Sequence, residues 1–348
     1  MPQDMYDEVI EKILKVLDES SITASYPKFS GEGYKVYKID IKNFHEIIPS
    51  TANKKIAFVD GGNAEIIGSA NFSLNMVRVC CAVYKNNRKI NTKKFEIIAF
   101  IQAINKNNEI YYKTSFFNTK NSIELDDISF NSFDHTLMLG VNRAEISNVA
   151  NAIRRFAELK LAKQIADDKT ADIIVLDGNL QSTITNENNC LNELYDSCSK
   201  NNIVLSALSK TTSLFTDNGN LLSVVLSSIS ALQSWFYYPI VEISNTNHKA
   251  EMFFIKFHNR SKHIFRFEIF NVQRAKAEEI INVIASNCID PIFIGYPYGL
   301  VEADRIARIS NQEKESLKTM FLVKLKSKNI EKYLNSVNAH EILDKISF

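Results

Sequence analysis

The sequence has 348 residues, of which 45% are hydrophobic and 23% are charged, and it contains only 10 glycines and 6 prolines. This composition is that of a globular protein with enough chain for a large core, and it argues against long flexible linkers. The net charge of +1 neither requires nor excludes a nucleic-acid partner, because binding to phosphates needs basic residues gathered on one face.

The cysteines and the apolar segments argue against two further classes of protein. Five cysteines are present without a C-x-x-C pair, so neither a disulfide framework nor a zinc finger is indicated. Cys80 and Cys81 lie in an apolar run, which favours buried free thiols. The N-terminus has no apolar signal core, and no run of about 18 apolar residues occurs. We therefore expect a soluble, cytoplasmic protein without membrane contact.

The first half of the chain predicts one helix and then a set of strands. Apolar residues recur at 3- and 4-residue steps from Ile10 to Leu17, which indicates a helix over 5–18. A short buried strand at 54–59 ends on Asp60 and turns on two glycines. Asn- and Lys-rich turns indicate a β-meander after this strand. The other strands predicted in this half lie at 34–41, 65–84, 94–104 and 109–117.

The second half changes to alternating helices and strands. Apolar residues from Ile146 to Ile165 follow helical steps, so a long amphipathic helix is predicted over 143–168. A second short apolar strand, 172–176, ends at Asp177 and Gly178, as the first ends at Asp60 and Gly61. The secondary structure of residues 212–235 is ambiguous from the sequence. The remaining predicted elements are helices at 188–201, 274–287, 299–310 and 312–345, and strands at 203–208, 238–243, 250–257, 263–270 and 291–294.

This order of elements predicts an α/β fold. An antiparallel meander followed by α/β units gives a mixed sheet with helices on both faces. It is the element order of the RNase H-like fold. The strands predicted after residue 212 form an additional antiparallel β subregion.

Two acids stand at corresponding places in this predicted fold. Asp60 and Asp177 each end a buried strand and precede glycine, and the C-terminal ends of strands form the ligand-binding edge of an open sheet. Neighbouring carboxylates repel each other, and a divalent cation relieves that repulsion. Mg²⁺ or Mn²⁺ prefers oxygen ligands, and two such ions can hold the attacking and leaving oxygens of a phosphodiester. The alternative is that both acids only begin Asx turns.

A third acid lies on the long predicted helix. Glu158 borders the apolar face of helix 143–168 rather than standing in the middle of its solvent face. The alternative interpretation is a surface ion pair with Arg154 or Arg155, which are its neighbours at 4- and 3-residue spacing. Glu145 is a competing acid in the same segment.

Asp304 and Lys210 complete the candidate site. Asp304 sits at the edge of a buried stripe on helix 299–310, where an ion pair with Arg308 is the alternative. Lys210 follows strand 203–208 and is placed to bind a phosphate as a point charge. The alternative for Lys210 is a solvated loop lysine.

Four segments, in this order along the chain, resemble motifs of the NurA nucleases. They are Phe58-Val59-Asp60-Gly61-Gly62, Arg155-x-x-Glu158-x-x-x-Ala162, Leu176-Asp177-Gly178-Asn179-Leu180, and Tyr296-Pro297-Tyr298 with Leu300-x-x-Ala303-Asp304. Ser209-Lys210-Thr211 also looks like an element of this family. The resemblance implies one NurA-type nuclease domain over 1–348. Its parts would be an RNase H-like core (54–310), an inserted β region (212–272) and peripheral helices at 5–18 and 312–345.

The resemblance also implies an activity and partners. The implied activity is that of a deoxyribonuclease dependent on Mn²⁺ or Mg²⁺, with two ions, that acts as a single-strand endonuclease and a 5′–3′ exonuclease. Its implied role is end resection in the repair of DNA double-strand breaks. The implied partners are single-stranded DNA and duplex ends, a second copy of the chain in a homodimer, and HerA, a hexameric DNA-translocating ATPase. The sequence itself has no Walker lysine motif, so movement along DNA would need a separate motor.

The family's functional residues map onto individual positions. Asp60, Glu158 and Asp177 match the metal-binding acids, and Tyr296 matches an active-site tyrosine. Asp304 stands where many members carry histidine. Either side chain serves as the final ligand in RNase H-like nucleases, and aspartate is the harder ligand. We therefore expect all five residues to be catalytic and the four acids to bind the metal.

Three residues are candidates for contact with DNA. Lys210 would bind a phosphate, and Tyr296 would stack on a base or bind a phosphate. Arg155 would contact the DNA backbone or orient Glu158. Basic clusters at 85–94 and 256–266 line a DNA channel or are solvated loops.

Two other functions compete with a nuclease. A catalytically impaired RNase H-like module that binds DNA or a partner is favoured by the departure at Asp304. A kinase-like ATP-binding domain also opens with Asp-Gly after its first strand. Such domains need glycine-rich phosphate loops, and the 10 glycines of this chain form none.

Overall fold

The computed structural model describes residues 3–18, 25–118 and 123–325. Its helices are α1 (Gln3–Asp18), α2 (Asn148–Asp167), α3 (Glu187–Lys200), α4 (Leu222–Ile229), α5 (Ala277–Ala285), α6 (Tyr298–Ala307) and α7 (Asn311–Leu325). Its strands are β1 (Pro27–Lys28), β2 (Tyr34–Val36), β3 (Phe44–Glu46), β4 (Lys55–Gly68), β5 (Phe72–Lys85), β6 (Arg88–Lys106), β7 (Glu109–Asn118), β8 (Ser129–Asn131), β9 (Ile173–Asp177), β10 (Val204–Ser209), β11 (Phe215–Thr216), β12 (Trp235–Tyr237), β13 (Val241–Ile243), β14 (Ala250–Lys256) and β15 (Phe265–Phe270). None of these helices is long and apolar enough to cross a membrane.

The strands form one large sheet and two small ones. The large sheet has eleven strands in the order β3-β12-β14-β15-β10-β9-β4-β5-β6-β7-β8. Within it, β9 pairs in parallel with both β4 and β10, and the other neighbours are antiparallel. Two of the three antiparallel strands predicted after residue 212, β14 and β15, join this sheet, because β15 pairs with both β14 and β10. The small sheets pair β1 with β11 and β2 with β13.

Helices cover both faces of the large sheet. Each strand sends alternate side chains to opposite faces, so apolar side chains on both faces are buried under helices. On β4, Ala57 and Val59 belong to the core under α2 and α3, whereas Phe58 belongs to the core under α5 and α6. Gly299 allows α6 to approach β4 closely, since a Cβ at this position would overlap the Phe58 ring. The predicted mixed sheet with helices on both faces is therefore confirmed.

Helix α7 covers the outer part of the β4–β5 hairpin, beyond the parallel strands. Its apolar residues, Phe321 among them, pack against Ile66 of β4. Arg78 of β5 is buried and forms ion pairs with Glu313 and Glu96. Its Nη1 also donates to the Arg308 carbonyl oxygen at 2.9 Å. These contacts tie the end of α6, the helix that carries Asp304, to the sheet.

Several predicted elements differ from the structure. The strand predicted at 291–294 is wrong: Pro291–Phe293 is a turn of 3₁₀ helix, in which the Asp290 side chain accepts a hydrogen bond from the Ile292 N–H at 2.9 Å. The strand predicted at 65–84 is interrupted by a turn before Phe72. The strand predicted from 238 begins only at Val241, since Pro239 has no N–H for a ladder. Of the helix predicted at 312–345, the part after Leu325 lies outside the described residues.

Candidate active site

The two acids predicted at strand ends lie on neighbouring strands. Asp177 is the last residue of β9, as predicted, and Asp60 lies on the adjacent strand β4. The prediction that Asp60 ends its strand is wrong, because β4 continues to Gly68. Its parallel pairing with β9 stops at Val59, opposite Leu176, and beyond that point β4 is paired with the strand β5 on one side only. Asp60 therefore stands where the parallel sheet opens.

Lys210 brings three of the predicted acids together. It follows β10, and its Nζ lies 2.7 Å from Asp177 Oδ2, 3.2 Å from Asp304 Oδ1 and 3.8 Å from Asp60 Oδ2. Burial by itself would lower the pKa of Lys210, but the charges of Asp177, Asp60 and Asp304 outweigh it and raise that pKa. Carboxylates from β4, β9 and α6 thus surround one cation.

Asp60 occupies an unfavourable position for a negative charge. It is 4% exposed, and its Oδ1 accepts a hydrogen bond from the Gly61 N–H at 2.7 Å. Burial, followed by the charges of Asp177 and Glu158, raises the pKa of Asp60 to about 8, although Lys210 acts in the opposite direction. One lysine therefore does not neutralise this group of acids.

Glu158 approaches the cluster from α2, across Gly61. A Cβ at Gly61 would lie 2.6 Å from Glu158 Oε1, so only glycine leaves room for this carboxylate. Glu158 is buried rather than at the border of the apolar face, and it forms an ion pair with Arg154. Burial raises the pKa of Glu158 although Arg154 and Arg155 oppose the rise. The competing acid, Glu145, is exposed and precedes α2.

Arg155 faces the protein interior. Its Nε lies 2.7 Å from Glu187 Oε1, and its Nη2 donates to the Asn179 carbonyl oxygen at 2.7 Å. Glu187 in turn accepts a hydrogen bond from the Thr183 N–H at 2.8 Å. With 11% of its side chain exposed, Arg155 anchors the loop after Asp177, which favours the orienting role over contact with DNA.

Tyr296 has a buried ring, and its hydroxyl has no hydrogen-bond partner among the described residues. The ring is stacked on Phe293 with 5.0 Å between centroids and tilted against Phe265 at 5.2 Å, which leaves no exposed ring face for a nucleobase. Burial, followed by the charges of Asp177, Asp60 and Asp304, raises the pKa of Tyr296. The phenol therefore remains a hydrogen-bond donor beside the carboxylates.

Asp304 is the most exposed of the four acids, with 36% of its side chain accessible. It joins the cluster through Lys210 and also pairs with Arg308, whose Nη2 lies 2.9 Å from Asp304 Oδ2. The helix pair considered as an alternative is therefore present together with the contact at the cluster. Asp304 is thus paired both with Lys210 in the cluster and with Arg308 on its own helix.

The donor chemistry of the cluster suits a hard divalent cation, since all four acids offer carboxylate oxygens. Among the described residues, however, no group of three or more His, Cys, Asp or Glu side chains is arranged to hold a metal ion. Lys210 and Arg154 account for this arrangement, because they pair with the carboxylates on the two sides of β4. The Tyr296 hydroxyl, which has no partner among the described residues, could also donate a hydrogen bond to a bound ligand. The type of ligand atom thus suits a metal, whereas the arrangement of the side chains would have to change for an ion to bind.

A buried network beneath the loop after Asp177 was missed from the sequence. Glu268 of β15 accepts hydrogen bonds from the Leu180 N–H at 2.7 Å and from Arg266 Nε at 2.7 Å, and it lies 3.1 Å from His248 Nε2. Burial alone would raise the pKa of Glu268, but Arg266 and His248 lower it to about 2. The spacing Arg266-x-Glu268 within one strand was the available signal, because it places both residues on one face.

The two basic clusters differ in their position relative to the acids. Lys85 pairs with Lys55 at the start of β4, away from Asp60, and Lys89 forms an ion pair with Glu302. The cluster at 256–266 lies at the carboxylate end, since Arg266 pairs with Ser209. In the first cluster, Lys94 lies level with Asp60 but two strands away, because Lys94 pairs with Cys80 and Cys80 pairs with Asp60.

Comparisons with known proteins agree with this architecture. A family model described as the NurA domain matches residues 54–309. The NurA nuclease from Sulfolobus solfataricus is similar in structure, with a TM-score of 0.54 and 15% sequence identity over 94% of this chain and 98% of that chain. The human Endonuclease V catalytic domain has a TM-score of 0.38 and 12% identity over 79% of this chain and 92% of that chain. Ciona intestinalis Endonuclease V, in complex with a DNA containing inosine, covers the same shares at 12% identity and a TM-score of 0.36.

No curated protein sequence matched the chain. The match over nearly its whole length to a solved structure, together with the eleven-stranded mixed sheet, confirms the predicted RNase H-like fold class.

Proposed function

This chain belongs to the NurA family, and we propose that it is a divalent-metal-dependent deoxyribonuclease that hydrolyses phosphodiester bonds at Asp60, Glu158, Asp177 and Asp304. The observation that carries the proposal is that β4, β9 and α6 each bring a carboxylate within 4 Å of one ammonium group, where the parallel strands end. Residues distant in sequence meet there, and a stable fold has no need of such a cluster of acids.

The four acids would hold Mn²⁺ or Mg²⁺, as two ions. When bound, these ions supply a water of lowered pKa and stabilise the departing 3′-oxygen. Lys210, displaced from the carboxylates, is then free to neutralise a phosphate oxygen of the DNA strand. The Tyr296 hydroxyl donates a hydrogen bond into the same space. Arg155 and Glu187 keep the loop that follows Asp177 in place.

We further propose that the substrates are single-stranded DNA, cut internally, and duplex ends, trimmed in the 5′–3′ direction during resection of double-strand breaks. This cytoplasmic enzyme would act as a homodimer with a HerA-type ATPase, because its own sequence carries no motif for translocation. An exposed apolar stripe on α1, which includes Ile10, Ile13 and Leu14, is a candidate surface for one of these partners.

Titration with Mn²⁺ tests the proposal against the catalytically impaired alternative, which the pairing of Lys210 and Arg154 with the acids favours. We expect saturable stabilisation, because an ion that binds only the folded state stabilises it by about 2.7 kcal/mol at 100 times its dissociation constant. For a chain of this size that is a rise in Tm of several degrees. Asp177→Asn should remove the rise, and cleavage of single-stranded DNA should begin over the same Mn²⁺ range. A wild-type protein that shows neither response is the impaired module.

Gly61→Ala is expected to slow cleavage about 100-fold, because the new Cβ displaces Glu158 and a shift of about 1 Å at a catalytic ligand has an effect of this size. The stability cost of overpacking should be only about 1–3 kcal/mol. The measurement is kcat on single-stranded DNA with Mn²⁺, combined with Glu158→Ala in a double-mutant cycle. If Gly61 acts through Glu158, the double variant is no slower than Glu158→Ala alone. Additive losses would contradict this explanation.

A further inference from the structure

A cavity of about 550 Å³ adjoins the carboxylate cluster. Two of its lining residues connect it to the acids through the chain: Asn179 is two residues after Asp177, and Ser209 directly precedes Lys210. The cavity and the cluster therefore share the loops that end β9 and β10. A strand bound at the cluster would reach this cavity with a neighbouring nucleotide.

The mouth of the cavity carries an accessible aromatic ring. Phe215 is 46% exposed although it lines the cavity, and its strand β11 pairs with β1 so that Phe215 stands opposite Lys28. Phe29, on the same segment as Lys28, is stacked on Tyr34 with 5.0 Å between ring centroids. The segment around β1 thus forms a wall that combines aromatic rings with a cation.

The polar part of the lining suits a phosphate. The basic side chains that line the cavity are those of Lys28, Arg266 and His248, and no acidic side chain is among its described lining residues. Glu268 holds Arg266 in place, because its carboxylate accepts hydrogen bonds from Arg266 Nε and Nη2. Thr211 and Thr212 add hydroxyl groups that can donate hydrogen bonds.

We propose that this cavity binds one unpaired nucleotide of the DNA strand, with its base stacked on Phe215 and its phosphate near Arg266 and Lys28. The inference rests on the proposed function and adds a base-binding position to it. Stacking on an aromatic ring tolerates any base, and a cation beside the ring holds the backbone. A base paired in a duplex cannot enter, so the cavity selects single strands.

The test measures binding without cleavage, in EDTA, by fluorescence anisotropy. The probes are an oligothymidylate of about 12 nucleotides, within the usual range of single-strand sites, and an abasic strand with the same number of phosphates. We expect Phe215→Ala to raise the Kd for oligothymidylate about ten-fold, as for loss of one stacked base. Phe215→Tyr should restore binding. Phe117→Ala removes a ring on β7 that is even more accessible, and it should change nothing.

The abasic strand separates base stacking from phosphate binding. Wild-type protein should bind it about ten-fold more weakly than oligothymidylate, and Phe215→Ala should make little further difference to it. Equal binding of both strands by wild-type protein, or equal losses in Phe215→Ala and Phe117→Ala, would overturn the proposal. If Phe215 behaves as expected but Mn²⁺ supports no cleavage, the proposed nuclease activity fails and the nucleotide cavity stands.

Discussion

Asp60→Ala and Asp177→Ala should each reduce Mn²⁺-dependent cleavage of single-stranded DNA and of 5′-ended duplex by at least about 1,000-fold. Both acids approach the Lys210 ammonium from adjacent strands, so either substitution removes one of the carboxylates that form the cluster. Stabilisation of transition-state charge by metals amounts to several kcal/mol, and each 1.36 kcal/mol is a factor of ten in rate. Steady-state rates with both substrates measure the effect.

Glu145→Ala is the matched control for these variants. Glu145 is the competing acid in the same segment as Glu158, but it is exposed, and its carboxylate accepts a hydrogen bond from the Ser147 hydroxyl at 3.4 Å. Its removal should leave the rate within about two-fold of wild type, as for surface positions away from a site. Near wild-type cleavage by Asp60→Ala or Asp177→Ala would exclude the assigned active site.

The stability of Asp60→Asn separates a catalytic from a structural acid. A structural carboxylate stabilises its fold, so its loss lowers the Tm. Asp60 is instead buried close to Asp177 and Glu158, where its charge is unfavourable. We therefore expect metal-free Asp60→Asn to be at least as stable as wild type while it loses activity. A marked drop in Tm would indicate that this acid supports the fold.

The sequence predicted the fold class and the arrangement of its core because hydrophobic periodicity is a local property. The α2 pattern from Ile146 to Ile165 and the apolar run before Asp177 both report burial directly. Where apolar residues alone supported an element, without a clear period, the prediction failed. Residues 291–294 are apolar enough for a strand, but Pro291 and the Asp290 side chain start a 3₁₀ turn there.

The candidate site depended on contacts that no local pattern contains. Asp60 was expected at a strand end, yet β4 continues because β5 pairs with it over its whole length. Glu158 reads from the sequence as a residue at the border of a helix face, and it is buried only because Gly61 leaves space for it. Arg266 is the only partner of Glu268 named here that lies on the same strand; Leu180 and His248 come from other segments, and no spacing along the chain could show that they meet Glu268.

Glu268→Gln should destabilise the protein by about 3–5 kcal/mol, the usual result of removing one partner from a buried ionic group. Glu268 is fully buried and accepts hydrogen bonds from the Leu180 N–H and from Arg266, besides its contact with His248. A glutamine keeps the shape but leaves the Arg266 guanidinium without its counter-charge. Chemical denaturation at neutral pH measures the loss. Glu242→Gln, which breaks an exposed pair with Lys35, should cost at most about 1 kcal/mol.

The pH dependence of the stability difference between wild type and Glu268→Gln tests whether that difference is electrostatic. The folded-state pKa of Glu268 is lowered from 4.5 to about 2, so its contribution is fully present above pH 4.5 and is lost as the pH falls toward 2. The gap in free energy of unfolding between wild type and Glu268→Gln should therefore stay constant from neutral pH to about 5 and narrow below that. A gap that is unchanged at low pH would show that packing, rather than charge, makes Glu268 important. Because Glu268 also holds the Leu180 N–H in the loop after Asp177, a charge effect would mean that this ionic network keeps Asp177, a proposed metal ligand, in place.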